Sequence, residues 1–304
     1  LGGCSSKNLS SVNKTYVSSK LDVPFMAPRS ELCASSSIEM LSLYWHSQTQ
    51  TVPRLTLEEL DSRTLIPQKG GTLQIELMAA ARANGFAVYV LEPNFEALTL
   101  ELSASHPVIV LVNRSLAWVP LWHYVPVTGY DAQTQTILTH FGNEANEAIA
   151  MKTFEAIWQR AGNWGVVLLP PGEIPATATP EKFLLCVYEL EKSGMRKEAV
   201  VSYEAALKRW PQNVNILFAL GNAYYSLGQI DAAQKMYARV VSLDAANPLA
   251  LNNLADIAFH RGEFKEAREL LERAKTEDAA IQSLLNATRE EIEKASTSSS
   301  FKSF

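Results

Sequence analysis

Cysteine is scarce in this sequence: Cys4, Cys33 and Cys186 are the only three in 304 residues. They are too few and too scattered for a disulfide framework or a cysteine-ligated zinc site. Histidine is nearly as rare. The five present (His46, His106, His123, His140 and His260) show no ligand spacing, so neither a metal nor a cofactor is expected. Charged residues make up only 19% of the chain and sum to −5, which argues against a surface for nucleic acid or anionic lipid. No apolar run is long enough to span a bilayer. What is present is a 47% hydrophobic content, ordinary for globular domains, and length for about two of them.

Val23-Pro24-Phe25-Met26-Ala27-Pro28 reads as an extended arm leading to Cys33. The cysteine opens a helix with Ile38, Leu41 and Tyr44/Trp45 at helical spacing. A thiol at a helix N-terminus faces unpaired N–H groups and the positive end of the dipole, which favours its thiolate. Small residues at Ala34, Ser35, Ser36 and Ser37 let another element approach the sulfur. A buried, inert cysteine at a helix start carries the same pattern.

Downstream, a short helix is expected at Leu55–Leu60. Another follows Gly70-Gly71, capped by Thr72, with Leu73, Leu77, Ala80 and Ala81 on its apolar face and a stop at Gly85. Phe86–Leu91 reads as a strand, Phe95–Leu102 as a helix, and the β-branched run Pro107–Val112 as a buried central strand. His123–Asp131 and Thr136–Phe141 are expected to pair as a hairpin, with Pro126 marking an edge or a bulge. A helix on Met151, Phe154 and Trp158 and a strand over Trp164–Leu169 complete the pattern. Helices first and an antiparallel sheet later is an α+β plan.

Beyond the proline-rich Pro170–Pro180 the chain repeats. Gly194, Gly228 and Gly262 are 34 residues apart, as are Ala199, Ala233 and Ala267; Tyr203, Tyr237 and Leu271; and Ala206, Val240 and Ala274. Glycine at the turn and small residues where helices touch, at this period, make the tetratricopeptide signature. Cys186 lies in a packing column and reads as core. The inner helices would present a groove of Tyr188, Phe218, Asn222, Tyr225, Asn252, Asn253, Asp256 and Phe259. Its amides would bond an extended peptide backbone and its aromatics would stack on side chains, implying a protein partner.

The opening Leu1-Gly2-Gly3-Cys4-Ser5 resembles a bacterial lipobox, with Cys4 lipidated, and the polar tract after it reads as a flexible tether. That resemblance implies a lipid-anchored lipoprotein on the periplasmic face of the outer membrane. Val23-Pro24-Phe25 leading to Cys33, Pro107–Val112, and His123-Tyr124-Val125-Pro126-Val127-Thr128-Gly129-Tyr130-Asp131 together resemble the papain-like cysteine peptidases of bacteria. The similarity is in particular to the bacteriocin-processing (double-glycine leader) peptidase family. Lys69–Glu76 and Trp118–His123 are similar to a lipoprotein branch of it with C-terminal helical repeats.

The resemblance implies a papain-like α+β domain followed by an all-α tetratricopeptide solenoid. It implies Cys33 as nucleophile and His123 as general base acting on a peptide or protein substrate. Three features depart from the family pattern. Ala27 and Pro28 stand where it places an oxyanion-donating glutamine, and Ala34 follows the cysteine in place of glycine. Phe141 stands near where a carboxylate would orient the histidine, leaving Asn143 or His140 as substitutes. The alternative reading is therefore a catalytically impaired pseudopeptidase serving as a protein-binding scaffold. The expected boundaries are a lipobox and tether over 1–20, a peptidase-like domain over 21–172, and a linker over 173–179. Three repeats over 180–281 follow, then a capping helix and disordered tail over 282–304.

Overall fold

The protein is described from a computed structural model, over residues 18–27, 33–64, 72–115, 119–142 and 144–300; the side chains of 61–64 and 297–300 are left aside. The chain divides into two compact units. The described residues of the first fall within 18–80, 90–168 and 175–177; those of the second fall within 81–89, 169–174 and 178–300.

In chain order the first unit begins with β1 (Ser19–Lys20), α1 (Cys33–Thr49), α2 (Leu57–Thr64) and α3 (Gln74–Arg82). β2 (Ala87–Val90) falls mostly with the second unit. Then come α4 (Phe95–Ser103), β3 (Val108–Asn113), β4 (Trp122–Asp131), β5 (Thr136–Phe141), β6 (Glu144–Ala150), α5 (Met151–Gln159) and β7 (Gly165–Leu169). The sheet runs β7-β3-β4-β5-β6 and is antiparallel throughout, with β1 also paired to β4. This is the α+β plan. β3 is central, paired on both sides, and Val108, Ile109 and Val110 have no exposed surface. Burying each such side chain contributes about 1.5–3 kcal/mol, enough for a continuous apolar run to select the sheet interior.

Of the edge or bulge expected at Pro126, the structure has the bulge: Pro126 pairs with Ile109 on β3, and the register shifts just beyond it, between Val127 and Gly129 on the β5 side. A proline has no N–H to give the ladder, so the bulge beside it relieves the missing bond. Leu73 precedes α3 and is exposed, whereas Leu77, Ala80 and Ala81 are buried as expected. Leu73 N–H instead bonds the Glu76 carboxylate at 2.8 Å, closing the helix start. β6 was not foreseen, because Glu-Ala-Asn-Glu-Ala-Ile-Ala has neither β-branched density nor clean alternation.

The second unit carries α6 (Pro180–Lys192), α7 (Arg196–Arg209), α8 (Val214–Ser226), α9 (Ile230–Leu243), α10 (Pro248–His260), α11 (Phe264–Arg273) and α12 (Ala279–Ser300). Thr179, Asn213 and Asn247 cap α6, α8 and α10, each side chain accepting from the N–H three residues on. Gly194, Gly228 and Gly262 sit at φ +94, +73 and +80, a backbone that only glycine adopts cheaply, at the turn inside each helix pair. Ala199, Ala233 and Ala267 are fully buried, as are Tyr203, Tyr237 and Leu271 to within 1%. The repeat columns are the columns of the core. α12 runs to Ser300, so most of the 282–304 segment expected as a capping helix and disordered tail is helical.

Candidate functional site

α1 begins at Cys33, and its first turn lies against β4. Ser37 Oγ donates to Cys33 O at 2.7 Å and approaches Tyr124 O at 3.4 Å. Backbone N–H groups of Tyr124, Ala34 and Cys33 itself turn toward the half-buried sulfur. The expected support for a thiolate at a helix start is therefore present. It does not prevail: burial is the larger effect and raises the thiol pKa above its ordinary value. The expectation of a favoured thiolate is corrected on that ground.

His123 lies one residue before Tyr124 on β4, opposite Val112 on β3. Its half-buried ring meets the Phe141 ring edge-on, with centroids 5.5 Å apart, and the Arg114 guanidinium sits 4.2 Å above the same Phe141 ring. Burial first, and the Arg114 charge second, lower the His123 pKa. Val112, Val125, Phe141, Phe154 and Ile157 enclose a small apolar hollow beside it. Among the described residues no hydrogen bond joins the Cys33 sulfur to the His123 ring. Since successive strand residues face opposite ways, the Tyr124 side chain leaves on the other face, its hydroxyl donating to Thr72 O at 3.1 Å.

His140 does not orient His123. It is buried, with Nε2 2.7 Å from Val23 O and Nδ1 accepting from Asn146 N–H at 3.1 Å, so both ring nitrogens are occupied. Asn143, Pro28 and Cys4 lie outside the described residues. Ala27 is described and has no side-chain donor for an oxyanion. Among the described residues no three His, Cys, Asp or Glu side chains gather as metal ligands, and no helix is long and apolar enough to cross a membrane. Cys186 is buried, its pKa pushed up to about 12 by burial, and belongs to the core.

The repeats retain part of the expected groove. Tyr188, Asn222 and Tyr225 are exposed, and Asn253 and Asp256 partly so. Tyr225 donates to Asp256 at 2.6 Å, and Asn222 Oδ1 accepts from Tyr237 at 2.8 Å and from Asn253 at 3.2 Å. Phe218 and Phe259 are part-exposed as well, Phe218 packing on Tyr237 and Phe259 on Phe264. One residue leaves the groove: Asn252 is buried and accepts from Thr288 on α12 at 2.9 Å. The helical period assigns a residue to a face only to within a position, and this side chain turns to the apolar side.

Two groups, one of them at the site, went unread in the sequence. Arg114 was passed over because nothing near it in the chain hints at its stack on Phe141. Glu101 is fully buried, within 2.6 Å of His106 Nδ1, and accepts from Ala176 N–H, Thr177 N–H and the Thr177 hydroxyl. It fastens part of the segment read as a linker.

Residues 20–166 match the model of the Peptidase_C39 like family, and residues 190–245 and 218–283 match tetratricopeptide repeat models. A putative C39-like peptidase from Bacillus anthracis is 16% identical with a TM-score of 0.42, over 50% of this chain and 98% of that one. The type III secretion translocator chaperone SycD of Yersinia enterocolitica is 20% identical with a TM-score of 0.38, over 42% of this chain and 90% of that one. The protein MamA is 26% identical with a TM-score of 0.29, over 31% of this chain, which spans only 51% of the MamA structure. No curated protein matches the chain. The chain thus joins a C39-like peptidase domain, over residues 20–166, to tetratricopeptide repeats over residues 190–283.

Proposed function

We propose that this is a docking protein with a peptidase fold. Its C39-like domain receives a peptide or protein at the junction of Cys33 with β4 and does not cleave it efficiently, while the repeats recruit a protein partner through Tyr188, Asn222, Tyr225, Asn253 and Asp256. The observation that carries this reading is the environment of the two reactive groups. Cysteine proteolysis works best when the thiol is pulled down and the imidazole is held up by an orienting partner. Here burial pushes the Cys33 thiol up and the His123 imidazole down, and a phenyl ring and a guanidinium lie where a carboxylate would help. The absent glutamine compounds the deficit, since losing one oxyanion donor costs about 2.7–4 kcal/mol of transition-state stabilisation.

A second reading, a working cysteine peptidase, is favoured by the three backbone N–H groups around the sulfur. Incubating the full chain with a peptide library separates the two. No cleavage beyond that of Cys33→Ala, together with retained peptide binding, is the expected result. Reproducible cleavage abolished by Cys33→Ala overturns the docking reading in favour of the enzyme. Lipidation at Cys4 and a place on the periplasmic face of the outer membrane complete the proposal; they rest on the lipobox-like start and its polar tether.

A further inference from the structure

The arm before Cys33 is tied down at several points. Leu21 N–H donates to Thr128 O at 2.8 Å. Val23 O receives the Nε2–H of His140 at 2.7 Å, and the Phe25 ring meets the His140 ring edge-on with centroids 5.4 Å apart. On the far side of the imidazole, Nδ1 accepts from Asn146 N–H at 3.1 Å. Asn146 holds a left-handed backbone, φ +54, and its side-chain oxygen accepts from Thr128 at 3.0 Å. His140 is 3% exposed, and Leu21 and Val23 are buried beside it. A carbonyl on one side and an N–H on the other permit only the neutral tautomer with its proton on Nε2. A second proton on Nδ1 would set two N–H groups against each other.

We infer that His140 is a positioning residue for Cys33: in its neutral form it pins the arm Leu21–Phe25 that leads into α1, and protonation releases that arm. The inference rests on Cys33 being the reactive group of the site. No charge drives the device. The ionisable side chains on the elements around it are Asp22 on the arm, Lys20 on β1, His123, Tyr124, Tyr130 and Asp131 on β4, and Glu144 and Glu147 on β6. Burial, rather than any of these, is what lowers the His140 pKa, against the opposing hydrogen bonds at Val23 and Thr139. The neutral, pinned state therefore prevails at neutral pH.

The test compares the full-length wild type with His140→Gln, whose amide supplies one donor and one acceptor without titrating, and with His140→Leu, which supplies neither. Each is reacted with a dipyridyl disulfide between about pH 8 and about pH 5, a window that spans histidine titration. The Cys33 rate is divided by that of free cysteine at each pH, and Cys186 serves as a buried control. In the wild type this ratio is expected to rise several-fold as the pH falls below the ordinary histidine value. It stays flat in His140→Gln and is raised at every pH in His140→Leu. Amide exchange at Leu21–Phe25 follows the same order. A rise shared by wild type and His140→Gln overturns the inference, as does faster exchange of the arm with no change at Cys33. Should His140→Leu fail to fold, the His140→Gln comparison decides alone. None of these readings needs peptide binding or cleavage, so this inference and the docking proposal fail separately.

Discussion

At the scale of single residues, chemistry at the site follows environment more than residue type. Cys33 has the helix start that lowers a thiol pKa, yet its burial outweighs the N–H groups that reach it. Iodoacetamide at neutral pH is therefore expected to alkylate Cys33 more slowly than free cysteine, and His123→Ala is expected to leave that rate nearly unchanged. Mass spectrometry of the Cys33 peptide checks both. A rate above that of free cysteine, lost in His123→Ala, would establish a working pair. His123 and His140 both have folded-state pKa values below the ordinary 6.5. As the pH falls below 6.5 the unfolded chain takes up protons before the folded one does, so folded stability declines from there toward the depressed folded values. Urea unfolding from pH 8 to pH 5 is expected to show that decline, made smaller by His140→Gln.

At the scale of elements, two contacts decide more than their neighbours. Gly221 lies inside α8, where a Cβ would stand 2.5 Å from the Tyr237 ring of α9. Tyr237 is buried and its hydroxyl is held by Asn222, so the ring has little room to yield. Gly221→Ala is expected to cost about 1–3 kcal/mol by overpacking, although alanine is the better helix former. A shift of the urea midpoint at unchanged slope is the reading to look for. Glu101 is the counterpart in the first unit. Burial pushes its carboxyl up, but hydrogen bonds from His106 and Thr177 outweigh it and hold the pKa below its ordinary value. Glu101→Leu leaves His106, Ala176 N–H and Thr177 N–H without that acceptor and is expected to cost about 3–5 kcal/mol in urea unfolding. Period made β3 and the repeat helices legible, because a β-branched run or a 34-residue step reports burial directly. β6 was illegible, since a strand of alanines, glutamates and an asparagine owes its form to pairing with β5 rather than to its own pattern.

At the scale of the molecule, one chain carries a peptidase-family domain and a repeat module, each with its own packed residues. If the lipobox-like start is functional, a chain expressed behind a bacterial lipoprotein signal should incorporate labelled palmitate and sediment with membranes. Cys4→Ser should lose the label and move to the soluble fraction. Unchanged sedimentation of Cys4→Ser would remove the anchor from the proposal. The sequence by itself determined the repeats, the α+β order and the family, because each is written in local spacing or in motifs whose residues adjoin along the chain. Only the tertiary structure decided what surrounds Cys33, His123 and His140. Burial, a phenyl ring beside an imidazole and a carbonyl from a distant arm are set by residues far apart in the chain, and such contacts leave no period to read.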